Sequence, residues 1–273
     1  MQNKSKISEM LMEIMRFHAA HQSQNDGAAL RLSLKTLQAR KGKDHRTTVV
    51  VNAALKCLDE HTWLQIELQE LRSKLFFSAH ETENCKDLVE REQLMLDVLV
   101  NTKLLSCIDQ AANRVSEGIK EYLLQAITYT MVQSTDADEN GLPDDSIIAP
   151  QLKSLSEVVS AAQEKLAANI YTGQQIFPAS ANQDAGITSD NYEFLVCSKS
   201  LAAVFAFAEK LLNRATSLGE VAVNSLPMFG NLSADNAKTQ KQWLLAYGLT
   251  AATVADAANS MTKDALLSCG VNA

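Results

Sequence analysis

No proline occurs before Pro143; all four, Pro143, Pro150, Pro178 and Pro227, lie in the second half of the 273-residue chain. Proline removes a backbone donor and clashes with the preceding helical turn, so in the first 142 residues only an occasional glycine can interrupt a helix. Aromatic residues are scarce as well, at 5% against 46% hydrophobic overall, which points to thin helical seams and away from a thick sheet-based core. Long apolar runs are also missing. The stretches with least charge, Ser200 to Ala208 and Leu244 to Ala255, fall short of the roughly 20 residues that cross a bilayer, so no resting transmembrane helix is expected.

Other absences narrow the function classes. Met1 to Glu9 is polar and of mixed charge, with no basic start leading into an apolar run, so the protein is expected in the cytoplasm, with export by a route lacking a cleavable signal left open. The five cysteines, Cys57, Cys85, Cys107, Cys197 and Cys269, include no close pair; they read as reduced, mostly buried small residues and not as a zinc clasp or redox dithiol. Neither a phosphate-binding glycine loop, a dinucleotide fingerprint nor a nucleophile elbow is present, and no enzyme activity, catalytic residue or organic cofactor is expected. A net charge of −7 argues against nucleic acid as the main partner.

What the chain does contain is helical periodicity. Leu94, Val98, Asn101, Leu105, Ile108, Ala112, Val115, Ile119, Tyr122, Ala126 and Tyr129 alternate in steps of four and three, the repeat that keeps one stripe against a partner helix. Leu64, Leu68, Leu71 and Leu75 repeat the same spacing, so two long helices, Thr47 to about Ser78 and Asn84 to about Gln133, are expected to form an antiparallel hairpin. Shorter helices are expected before them, over Lys6 to Ala20 and Ala28 to Arg40. Asn101, the one polar residue on the ladder, is a candidate for setting register.

Beyond the prolines' onset the stripes change character. One runs Leu152, Leu155, Val159, Ala162 and Leu166 and is expected to end near Gly173. The next carries Leu201, Phe205, Ala208, Leu212, Ala215, Gly219, Ala222 and Leu226, and the last carries Ala237, Leu244, Gly248, Ala251, Ala255 and Ala258. Small side chains on both let two helices approach closely. Phe205, Phe207, Gly219 and Gly248, with Asn101, are therefore the candidate interaction residues. The expected architecture is all-α, an elongated bundle with long antiparallel coiled-coil-like helices. It divides into a leucine-rich helical hairpin region (1–134), an acidic linker (135–150) and an Ala-rich region of small residues (151–273) packed on or beside the first.

Three further clusters invite chemistry. Asp136, Asp138, Asn140, Gly141 and Asp144 match the first half of a calcium loop, with oxygen ligands at alternate positions before a glycine. Ile147 stands where such a loop needs a bidentate Glu, so a solvated linker is the preferred reading and a calcium site the alternative. Arg40, Lys41, Lys43 and Arg46, in a basic stretch beginning at Arg31 and Lys35, form a candidate anion site, against the plainer reading of a water-facing loop between helices. All five histidines, His18, His21, His45, His61 and His80, fall in the first 80 residues. They lack the Glu-x-x-His spacing of a helical metal site.

The pattern as a whole predicts a non-enzymatic structural or interaction protein that acts by helix packing, through self-association or by docking to a helical partner. The alternative is a soluble, membrane-active protein, similar in behaviour to α-helical pore-forming toxins, that inserts the Ala/Phe-rich hairpin into a membrane after a conformational change.

Overall fold

From His45 to Asn84 the chain has neither proline nor glycine, and in the computed structural model it forms one 40-residue helix, α1. The structure describes residues 31–32, 35, 45–131, 155–178, 187–188, 190–224 and 233–272. Four more helices follow: α2, Leu88–Met131; α3, Leu155–Ile176; α4, Tyr192–Asn224; and α5, Ala234–Ser268. At 1.5 Å per residue the 44 residues of α2 extend about 66 Å. The fold is an all-α bundle, and no strand occurs among the described residues.

The start of α1 reads Thr47-Thr48-Val49-Val50-Val51, a run of β-branched residues that favours a strand by intrinsic propensity. It is helical because burial overrides propensity: Thr47, Val49, Val50 and Val51 are all closed to solvent. Farther along, Leu64, Leu68, Leu71 and Leu75 are buried as the spacing predicts. They face the α2 ladder, of which Val98, Leu105, Ile108, Ala112, Val115, Ile119, Tyr122 and Ala126 are buried and Leu94 and Asn101 half-buried.

Caps account for several boundaries. Asp87, not Asn84, starts α2: its Oδ1 accepts the backbone N–H groups of Val89 at 2.9 Å and Glu90 at 3.0 Å, two of the donors a helix start leaves without partners. Asn84 instead closes α1, its Nδ2 donating to the His80 carbonyl at 2.9 Å. Gly173, expected to stop α3, lies within it; a Cβ there would stand 2.8 Å from Phe205 Cε2, so this glycine serves the close approach of α3 to α4. The end of α5 is a Schellman turn. Gly270, at φ +76°, donates to Leu267 and Val271 donates to Leu266, while the Val271 and Leu266 side chains join the core.

Contacts along the helices fix their directions. Arg214 meets Glu60 and Lys210 meets Glu67, both at 2.6 Å, so α4 runs antiparallel to α1. Arg114 reaches Ser260 at 3.3 Å, and Tyr122 reaches the Leu249 carbonyl at 3.1 Å; α5 is thus antiparallel to α2. Gly173 against Phe205 and Phe177 against Phe194 set α3 antiparallel to α4. The helices therefore alternate up and down, and α5, the last in sequence, packs against all four others.

That position explains the composition of α5. A helix with one neighbour needs one apolar stripe, but a helix with four must be closed on most of its circumference without pushing its neighbours apart. Ala246, Gly248, Ala251, Ala255, Ala257, Ala258 and Ala265 are all buried. Its polar positions become ties between helices. Thr250 donates to the Ala246 carbonyl at 3.0 Å and lies 3.4 Å from the Ala53 carbonyl on α1. Thr253 pairs with Tyr122 on α2 at 2.9 Å. Thr262 accepts from Asn169 on α3 at 2.7 Å. One hydrophobic cluster runs from Val49 to Val271 and draws on all five helices.

Candidate functional site

The residues singled out by spacing fall into three groups. Phe205, Phe207, Gly219 and Gly248 are buried inside the bundle, so their contacts are with this chain. Phe205 lies on Gly173, and Phe207 stacks on Trp63 with ring centroids 5.8 Å apart and planes 11° from parallel. Asn101 is half-buried between the closed Val98 and Leu105. Asp136, Asp138, Asn140 and Asp144, with Arg40, Lys41 and Lys43, lie outside the described residues, and of Arg46 only the backbone, in the first turn of α1, is described.

Around Trp63 the α1 and α4 helices are joined by charge as well as by stacking. Arg214 lies 4.2 Å above the Trp63 ring while its Nε bonds the buried Glu60, and Lys210 covers Trp63 from the other end while pairing with Glu67. A guanidinium held by both a carboxylate and an indole face supplies the buried Glu60 with its counter-charge. This is a packing joint between α1 and α4.

Two buried thiols and a phenol are held neutral elsewhere. Loss of hydration pushes the Cys57 thiol up to about 12; the same cause, helped by Asp264, pushes Cys107 up to about 11. Burial raises Tyr122 also, and its hydroxyl is used as a link between α2 and α5. Histidines His61 and His80 make local contacts one turn along α1, to Gln65 and Asn84. Among the described residues no three of His, Cys, Asp and Glu gather as a metal site.

Two surfaces among the described residues bear on function. An open cleft of about 530 Å³ is bounded by Arg31, Lys35, Lys56, Asp59, Trp243 and Tyr247. Arg31, from the basic stretch, pairs with Asp59 at 2.6 Å, and Lys56 both pairs with Asp59 at 3.6 Å and covers the Tyr247 ring. The acid thus occupies the cations closest to it. The second surface is apolar and lies at the turn of the α1–α2 hairpin. Phe76 and Phe77, in the last three turns of α1, are 49% and 65% exposed, and Leu88 and Val89, in the first turn of α2, are 74% and 76% exposed. Spacing missed these four residues because they stand off the seam: Leu75 and Ala79 beside them take the buried face. The signal available in the sequence was the apolar pair Leu88-Val89 at a helix start, where polar residues are the rule.

No family model, no curated protein and no solved structure matches this chain.

Proposed function

We propose that the protein is a non-enzymatic helical interaction protein that self-associates through the turn of its α1–α2 hairpin. The supporting observation is the set of exposed apolar side chains on the two helix ends that flank this turn, Phe76, Phe77, Leu88 and Val89. Removing such apolar side chains from water is the driving force that would bring two hairpin turns together. Light scattering after size exclusion tests this. The wild type is expected to pass from monomer to dimer as concentration rises, and Phe77→Asp with Val89→Asp to stay monomeric with an unchanged melting temperature. A wild type that remains monomeric across a wide concentration range overturns it.

Membrane insertion of the α4–α5 hairpin has weaker support. It would break the Arg214–Glu60 and Lys210–Glu67 pairs and withdraw the central helix from its four neighbours. No helix among the described residues is long and apolar enough to cross a membrane. Leakage from anionic and neutral liposomes separates the two readings, since hairpin-turn association predicts none.

A further inference from the structure

Cys197 and Cys269 are 72 positions apart in sequence and adjacent in space, and the structure places a lysine over both. Lys103, on α2, donates from Nζ to Cys197 Sγ on α4 at 3.5 Å and to Cys269 Sγ at the C-cap of α5 at 4.0 Å. Both sulfurs thus lie within 4.0 Å of one ammonium nitrogen. Both are half-exposed, unlike the closed Cys57 and Cys107. We propose that Cys197 and Cys269 form a peroxide-sensitive dithiol, in which a hydroperoxide converts the pair to a disulfide joining α4 to the end of α5.

The chemistry follows from the three groups. A thiolate is the nucleophile in such oxidations, and a neighbouring ammonium favours the reaction by stabilising negative charge at sulfur. Burial pushes the Cys269 thiol up to about 12; the Lys103 ammonium stands nearer to Cys197, at 3.5 Å, than to Cys269, at 4.0 Å, so the first attack is assigned to Cys197. Its thiolate takes the terminal oxygen of the hydroperoxide as the O–O bond breaks, and the departing alkoxide or hydroxide takes up a proton. Cys197 is then a sulfenic acid. Cys269 loses its proton as its sulfur attacks that of Cys197, the S–O bond breaks, and water leaves. The sum is two thiols plus one hydroperoxide giving one disulfide, one alcohol (or water) and one water. Lys103 acts as a positioning residue.

Cys269 stands at the C-cap of α5, just past the last helical residue and before Gly270 at positive φ, and its backbone N–H is held by the Ala265 and Leu266 carbonyls, so the resolving sulfur is presented from a fixed turn. Cys85 is the internal contrast. Its thiol faces the Glu90 carboxylate at 3.4 Å, a negative neighbour where Cys197 has a positive one.

The test is oxidation of the reduced full chain by one equivalent of hydrogen peroxide, followed by alkylation and mass spectrometry. The expected result is loss of two of the five alkylatable thiols and a peptide pair linking Cys197 to Cys269. Cys269→Ser is expected to stop at a Cys197 sulfenic acid that dimedone captures. Lys103→Met should slow oxidation several-fold while Lys103→Arg retains most of the rate, a pattern that loss of packing alone would not give; circular dichroism confirms that each variant folds. A disulfide mapped to Cys85 between chains, or retention of all five thiols, overturns the proposal on the wild type alone.

Discussion

The hairpin α1–α2 and the helix α5 solve the same packing problem in opposite ways. The hairpin closes a single long seam with large side chains, Leu64, Leu68, Leu75 and Ile108 among those fully buried. The α5 helix, with four neighbours, is closed largely by alanine, glycine and threonine, with Leu249, Val254, Met261 and Leu266 set among them. In the first case stability comes from apolar area per residue; in the second it comes from how near the backbones can come. Sensitivity should invert accordingly: the hairpin should suffer when volume is removed and α5 when volume is added.

Leu68→Ala should have the largest effect, lowering stability by about 3 kcal/mol in denaturant melts, since the seam cannot collapse onto the vacated volume. Ala255→Leu, in α5, should cost about 2 kcal/mol because the position is closed and the helices packed against it must yield. A neutral or stabilising result would show that α5 has slack and would break the contrast.

Besides Cys269 at the end of α5, alkali probes the hairpin through Cys57 and Cys107, which both sit in it. Their folded-state values, about 12 and about 11, lie above the ordinary 9.0. Between pH 9 and 11 the unfolded chain releases these protons and the folded chain holds them. The unfolded state then binds fewer protons, so stability is intact below pH 9 and falls as pH rises, by up to about 1.4 kcal/mol per unit for each thiol. Cys57→Ala should make that decline shallower in melts from pH 8 to 11.

Gly118 tests where the two styles meet. A Cβ there would stand 2.7 Å from Thr253 Cγ2, and a β-branched side chain in a helix has little freedom to turn away. Gly118→Ala should cost about 1 kcal/mol net of its better helix propensity, and Thr253→Ser, which deletes that methyl, should relieve most of it. The smallest effect belongs to Tyr122→Phe, at about 1 kcal/mol or less. It removes the hydroxyl that bridges to Leu249 and Thr253 and leaves the ring's packing in place.

The hairpin was legible because leucine at four-three spacing has one physical meaning. Every member of the Leu64 to Leu75 stripe is buried, and the α2 ladder follows to within a half-buried residue at Leu94 and Asn101. Alanine and glycine carry less information. The α5 stripe indicated close packing but not the number of neighbours, so the centrality of that helix was not visible. Gly173 looked like a stop, since a glycine that ends a helix and one that admits a neighbouring ring are alike in sequence. Asp87 was passed over for Asn84 because either can cap, and only geometry decides between them. The Cys197, Cys269 and Lys103 group comes from three helices, and no local spacing encodes such a meeting.

The order of α5 in the chain carries a consequence for biosynthesis. It is translated after every helix it touches, and its 35 residues take about 2–7 s at usual elongation rates. Throughout that interval Tyr122, Asn169 and the α1 face at Ala53 have been made but not the groups they bond. The nascent bundle thus passes through a stage with an open, mostly apolar trough, and a chaperone that shelters such a surface would act on this protein late in its synthesis.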